Sequence, residues 1–209
     1  LIVDLSHELR TPLQILLNQI EAILDGIHKA DAPRLEAMHA EITRTSELLN
    51  ELEDRLIYEN DTFELNITPT DISEVARKVA LGHEGGFAQK GLAFTSEIEP
   101  EIVIPADSIR FAQVLINLLS NALKYTAEGY VSLSLQKAGD MVELLVADSG
   151  EGMAPDVVEN ISKRSAQAFK AVNSKGVGLY IAKLIINKHG WQLHIDSANN
   201  TGTRVRILM

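Results

Sequence analysis

The 209-residue chain has a formal charge of −10 and no cysteine. Its length allows one large or two small domains with real cores, and the missing thiols exclude disulfides, thiolate nucleophiles and thiolate metal sites. The acidic balance lacks the basic footprint that nonspecific nucleic-acid binding needs, and no apolar run approaches the ~18 residues of a membrane span.

The opening residues, Leu1 to Leu5, are apolar, carry no cap of their own and run straight into a helical pattern. They read as a cut through a helix, so further domains are expected upstream, and any membrane tether would lie there. Leu9, Leu13, Leu16 and Ile20 recur at steps of 4, 3 and 4, which is a helical stripe. Gly26 and the run to Pro33 interrupt it. Leu35, Met38, Ile42, Thr45, Leu49, Leu52 and Leu56 then follow at alternating steps of 3 and 4, a heptad seam. Two such helices make a hairpin, which cannot bury both seams alone. Pairing two hairpins gives a dimeric four-helix bundle, so a homodimer is expected. The alternative is an intramolecular seam packed on the C-terminal domain.

Charge marks a boundary near residue 62. Residues 1–62 hold 13 acids against 5 Lys/Arg, a balance of −8, while the other 147 residues sum to −2. The expected domains are therefore 1–62, α-helical, and 63–209. In the second, Phe63 to Ile67 reads as a short strand. Asp71 is placed to cap a helix bearing Ile72, Val75, Ala76 and Val79. Leu92 to Ile98 alternates as a strand. Asp107 opens a helix to about Lys124, with Ile109, Ala112, Leu115, Ile116 and Leu119 expected inward. Tyr130 to Gln136 and Met141 to Ala147 form a hairpin about Gly139-Asp140. Residues 153–175 read as a polar loop with one short helix. Val177 to Lys188 is helical with Gly190 as its stop, and Trp191 to Ser197 pairs with Thr203 to Met209. Helices on one face of a mixed sheet make an α/β sandwich.

Chemistry-bearing residues sit in both parts. Residues 6–13 read Ser-His-Glu-Leu-Arg-Thr-Pro-Leu. A neutral imidazole is a good nucleophile at physiological pH. A carboxylate on its protonated nitrogen would hold the tautomer and stabilise the developing cation. Glu8 is the nearest candidate for His7, and Thr11, four residues on, shares its face. Pro12 removes a helix amide and crowds the carbonyl of Glu8, favouring a kink there. The other histidines (28, 39, 83, 189 and 194) show no ligand spacing, and surface or capping roles are expected for them.

Asn117 and Asn121 project together from one helix, and their carboxamide oxygens suit Mg²⁺, a hard ion. Lys124 can meet phosphate as a point charge. Asp148 ends a strand before Gly150 and Gly152. A buried carboxylate there can accept from the exocyclic amine of adenine, with the glycines letting backbone approach the base. Gly176 and Gly178 precede a helix whose free amides suit phosphates.

These strings, in this order, resemble the sensor histidine kinases of two-component signalling, and the C-terminal set resembles the ATP-binding fold shared with type II topoisomerases and heat-shock-90 chaperones. The resemblance implies a dimerisation and phosphoacceptor domain followed by a catalytic ATP-binding domain. It implies autophosphorylation of His7 from ATP with Mg²⁺, assisted by Glu8, and transfer to an aspartate on a response regulator receiver domain. Thr11 would orient water for the reverse, phosphatase reaction. Asn117, Asn121, Lys124, Tyr125, Asp148, Gly150, Gly152, Gly176, Gly178 and Thr203 would line the nucleotide site, with Asn117 and Asn121 toward the metal and Thr203 supporting Asp148. ATP-hydrolysing relatives carry a glutamate base where Asn117 stands, so this pocket looks built for transfer rather than hydrolysis. In such sensors this core is commonly cytoplasmic and the full-length protein membrane-anchored. The segment between the glycine pairs departs from the usual pattern. Only Phe169 is aromatic, and Lys163, Arg164, Lys170 and Lys175 all compete for the γ-phosphate. Tyr180 and Trp191 stand where glycines are common. That departure keeps a second reading open, a nucleotide-binding pseudokinase acting as a dimeric signalling scaffold; an ATPase or chaperone is weaker still.

Overall fold

Two stretches of helix begin the chain, and a mixed sheet layered with helices ends it. The computed structural model describes residues 2–42, 45, 63–162 and 177–209, with side chains over 12–42, 45, 63–159 and 178–209. The chain divides into two compact units, Leu1–Asp61 and Thr62–Met209.

In the first unit, α1 spans Ile2–Leu24 with Pro12 inside it. It ends where Gly26 takes a left-handed φ of 71° and the His28 N–H reaches back to the Ala22 carbonyl, a helix-stopping turn open to glycine. Asp31 then caps α2 (32–42), its Oδ1 accepting the Arg34 N–H at 3.2 Å. Leu16 is buried, but Leu13, Ile20, Leu24, Leu35 and Ile42 are exposed in the single chain. The seam positions Leu49, Leu52 and Leu56 lie outside the described residues.

The second unit opens without the strand expected at Phe63 to Ile67, and the first strand, β1, is Thr68–Asp71. Tertiary bonds take the place of a ladder. The Phe63 carbonyl accepts from Lys188 Nζ at 2.8 Å, the Asn66 N–H donates to Asp107 Oδ2 at 2.9 Å, and the Arg110 and Lys188 cations stand 5.0 and 4.7 Å from the centroid of the Phe63 ring. β1 pairs antiparallel with β3 (Val103–Ala106), a strand with no clear period in the sequence.

Asp71 caps α3 (Ile72–Lys90), accepting the Glu74 N–H at 3.0 Å, and left-handed Gly91 ends it. The edge strand β2 (Ala93–Ile98) follows, then α4 (Ser108–Tyr125), capped by Asp107. The buried face of α4 is Phe111, Val114, Leu115, Leu118, Leu119 and Ala122, the i, i+3, i+4, i+7 stripe of a core-facing helix. Leu115 and Leu119 match expectation. Ile109 and Ile116 do not: they are 75% and 38% exposed. Phe111 and Val114 pull the stripe's centre to a different angle, and each fully buried side chain of this size contributes ~1.5–3 kcal/mol.

β4 (Tyr130–Ala138) and β5 (Met141–Asp148) form a hairpin at Gly139-Asp140, with Gly139 at φ 66°. Val131, Leu133 and Leu135 are buried, Leu133 opposite Val146, Leu135 opposite Leu144 and Val131 opposite Asp148, while Ser132 and Ser134 turn to the other face. After the short α5 (Pro155–Ser162) come α6 (Val177–Lys188), β6 (Gln192–Ser197) and β7 (Thr203–Leu208). The five-stranded sheet has the order β2-β4-β5-β7-β6, parallel only between β2 and β4. α4 packs between α3 and α6 over the apolar face of that sheet. This is the expected α/β sandwich.

Candidate nucleotide site

The C-terminal half of α4 and the end of β5 supply the chemistry. Asn117 and Asn121 are both half-buried, one turn apart. Asn117 meets the first turn of α6, where a Cβ built on Gly178 would stand 3.2 Å from its Oδ1. The helix ends with Lys124 and Tyr125, the ammonium 5.4 Å from the centre of the phenol ring.

Asp148 stands opposite Thr203 in the β5–β7 register. Its Oδ1 accepts the Gly150 N–H at 2.8 Å, and the Thr203 N–H also donates to the carboxylate. Burial outweighs both bonds and holds the Asp148 pKa above the ordinary 3.8. The loop that follows is tied at each end. The Glu151 N–H donates to the Tyr125 carbonyl at 3.1 Å, and the Glu151 carbonyl accepts the Asn200 N–H at 2.7 Å. The Met153 N–H donates to Ser197 Oγ at 2.9 Å.

The glycines of this loop were expected to admit a base. Their structural necessity is closer to home. A Cβ at Gly150 would collide with the Tyr125 carbonyl, and one at Gly152, at φ 66°, would collide with that of Ala198. The loop seats only because two backbones touch where side chains would begin.

Asp148, Gly150, Gly152 and Thr203 are thus brought together, as are Asn117 and Gly178, with Asn121, Lys124 and Tyr125 following along α4. Gly176 and the cationic candidates Lys163, Arg164, Lys170 and Lys175 lie outside the described residues, as does Phe169. The backbone of His7, Glu8 and Thr11 is in α1, but their side chains are outside the described set. Tyr180 is half-buried in α6. Trp191 stacks on His189 at 4.0 Å and meets Phe111 edge-on at 6.1 Å, filling the space that a glycine would leave.

Two residues of the site carried no sequence signal beyond their position. Thr126 ends α4 fully buried, and its Oγ1 has no hydrogen-bond partner among the described residues. Ser197 ends β6 and bonds the loop, the turn and Thr203. Among the described residues, Asn117 Nδ2 is likewise buried without a partner. Leaving such an atom unmet costs ~1–3 kcal/mol, so each calls for a water or a ligand atom. With the Asn117 carboxamide turned by half a revolution, its oxygen takes that place, where a hard cation or its water can meet it. The half-buried carboxylate, the unmet amide and the paired asparagines on α4 fit a purine nucleotide with its cation.

Residues 106–209 match the family of histidine kinase-, DNA gyrase B- and HSP90-like ATPases. The signal transduction histidine-protein kinase BaeS of Escherichia coli K12 is 28% identical over 195 residues, covering 91% of this chain and 42% of the relative. The sensor protein SrrB of Staphylococcus aureus is 29% identical over 210 residues, 97% of this chain and 36% of the relative. The solved Acinetobacter baumannii histidine kinase AdeS superposes with a TM-score of 0.63 at 25% identity, covering 97% of this chain and 96% of that one. Full-length ShkA, solved in complex with AMPPNP, gives 0.69 at 29% identity over 99% of this chain and 44% of that one. Through residues 106–209 the chain belongs to that ATPase family. It is homologous, over nearly all its length, to sensor histidine kinases. The chain spans less than half the length of these two curated relatives.

Proposed function

We propose that the chain is the catalytic core of a sensor histidine kinase, with the second unit holding ATP and the first supplying the nucleophile. The observation that carries this reading is the half-buried Asp148 at the end of β5, fixed by the N–H groups of Gly150 and Thr203, within a domain of that ATPase family. Asp148 accepts from the adenine amine, Lys124 faces phosphate, and the amides at the start of α6 meet anionic oxygens. Asn117 and Asn121 hold Mg²⁺, which neutralises phosphate charge when bound.

His7 is the acceptor. Its bare ring nitrogen forms a bond to the γ-phosphorus as the bond to the ADP oxygen breaks, and Glu8 holds the proton on the other nitrogen. The phosphoryl group then passes to an aspartate of a response regulator receiver domain docked beside His7. Thr11 orients water for the phosphatase reaction, in which water attacks the aspartyl phosphate of the regulator and inorganic phosphate leaves. Asn117 has no basicity to activate water, so the site serves a supplied nucleophile. The exposed apolar residues of α1 and α2 (Leu13, Ile20, Leu24, Leu35 and Ile42) support a homodimer through a four-helix bundle. No helix among the described residues is long and apolar enough to cross a membrane; the full-length protein is proposed to be membrane-anchored through segments upstream, with this core in the cytoplasm.

The test is incubation of the chain, and of His7→Ala, with γ-labelled ATP and Mg²⁺. Acid-labile, alkali-stable label on the wild type alone is expected. Nucleotide binding with no label on either protein would overturn the kinase reading in favour of a signalling scaffold.

A further inference from the structure

The end of β6 holds a hydroxyl whose proton has one satisfactory destination. Ser197 Oγ accepts the Met153 N–H at 2.9 Å and lies 2.9 Å from the Gly202 carbonyl, an acceptor only. It also lies 3.0 Å from Thr203 Oγ1, where either oxygen could donate. A serine has one proton. Sent to Thr203, it would leave the carbonyl of buried Gly202 without that donor. Sent to Gly202, it lets Thr203 donate to Ser197, and all four groups are met. The second arrangement leaves no buried polar group short, which is the rule for native structures.

The consequence lies one residue away. With its proton committed to Ser197, the Thr203 hydroxyl presents only lone pairs elsewhere. Thr203 stands directly opposite Asp148, and that carboxylate also presents only lone pairs once it has accepted from Gly150 and Thr203. Two acceptors side by side demand a donor from the ligand.

We infer that Ser197 is a positioning residue that sets the direction of the Thr203 hydroxyl proton, and so makes this end of the site select a 6-amino purine over a 6-oxo purine. The inference rests on the nucleotide-binding reading above. An amino group places hydrogens where both acceptors face, while an oxo group places a third set of lone pairs there. A site built for a donor rejects a ligand lacking it more strongly than an apolar pocket could. Without the Ser197 hydroxyl, Thr203 is free to turn and donate to a 6-oxo group.

Calorimetric titration of the full 209-residue chain with ADP and with IDP, both with Mg²⁺, tests this. The pair differs in the group at position 6 and the proton at the neighbouring nitrogen. The wild type is expected to prefer ADP. Ser197→Ala should narrow the ADP-to-IDP affinity ratio by about tenfold, the worth of one neutral hydrogen bond. Ser197→Thr, which keeps the hydroxyl, should retain the ratio. In a Thr203→Val background, Ser197→Ala should leave the ratio where Thr203→Val put it. If Ser197→Ala fails to fold, Ser197→Cys preserves volume with a weak donor and should narrow the ratio in the same sense. Equal loss of both nucleotides on Ser197→Ala, or an undiminished effect of it in the Thr203→Val background, would reduce Ser197 to a loop tie and overturn the inference. A wild type that binds neither nucleotide would sink the nucleotide reading itself.

Discussion

The ring of His189, at the end of α6, accepts the backbone N–H of Asp107 through Nε2 at 3.1 Å, while Nδ1 lies 2.9 Å from the Ile185 carbonyl. Only the neutral ring with its proton on Nδ1 makes both bonds. The residue thereby joins the end of one helix to the cap of another. Burial holds the His189 pKa below 6.5, against the pull of the Ile185 carbonyl and the Asp107 charge. A histidine with a depressed folded pKa contributes stability above its unfolded value, and that stability is lost as pH falls through the folded one. The thermal midpoint should therefore drop on acidification below pH 6.5. His189→Phe should lose ~1 kcal/mol at pH 7 and show a shallower pH dependence in the same scan. At Asp107, burial acts to raise the carboxyl pKa. The N–H groups of Arg110, Asn66 and Ile109 and the charge of Arg110 outweigh it and bring the pKa below 3.8, so its contribution fades only in a more acidic window.

Asp148 carries the opposite sign. Its folded pKa is raised by burial, so the ionised form costs stability at neutral pH and protonation relieves that cost. Asp148→Asn keeps an oxygen for the Gly150 and Thr203 N–H groups. Its unfolding midpoint at pH 7 should equal or exceed that of the wild type, while ADP affinity falls by ~10- to 100-fold, the worth of a charge-assisted bond. Calorimetry and thermal melts on the same sample separate the two effects. In the wild type, ADP affinity should fall with pH as Asp148 takes up its proton.

Glycine substitutions should divide by what a Cβ meets. Gly82 and Gly85 lie inside α3 with nothing within 4 Å of an added Cβ. Alanine at either should stabilise the second unit by up to ~1 kcal/mol. Gly150→Ala drives a methyl into the Tyr125 carbonyl and should cost ~1–3 kcal/mol or more. Urea unfolding of the three variants gives the comparison, and a neutral Gly150→Ala would contradict the packing described for this loop.

The exposed stripe of the first unit predicts an oligomer. Ile20 is 43% exposed in the single chain, one step beyond buried Leu16. Ile20→Lys should convert a dimer into a monomer, read by light scattering, with ADP affinity in the second unit unchanged. A wild-type chain that is monomeric at tens of micromolar would remove the basis for the proposed bundle.

Elements whose reasons are local were legible in the residues. Asp71 and Asp107 cap helices because a short carboxylate before an apolar stripe meets free amides. Gly139-Asp140 turns a hairpin whose strands alternate with period two. Asn117 and Asn121 share a side of α4 because four residues make about one turn. Tertiary packing decided the rest. Phe63 to Ile67 has the composition of a strand, yet its polar groups bond to Lys188 and Asp107, far along the chain. Ile109 and Ile116 fit the helical period but lie on the outward side of the helix, since Phe111 and Val114 fix which side of α4 meets the sheet. The Asp148–Thr203 pair, the buried hydroxyl of Thr126 and the proton of Ser197 depend on contacts between segments distant in sequence. Periodicity constrains a residue's neighbours one turn or one strand step away; which strand lies opposite, and so where a proton must point, is set only when the whole sheet closes its register.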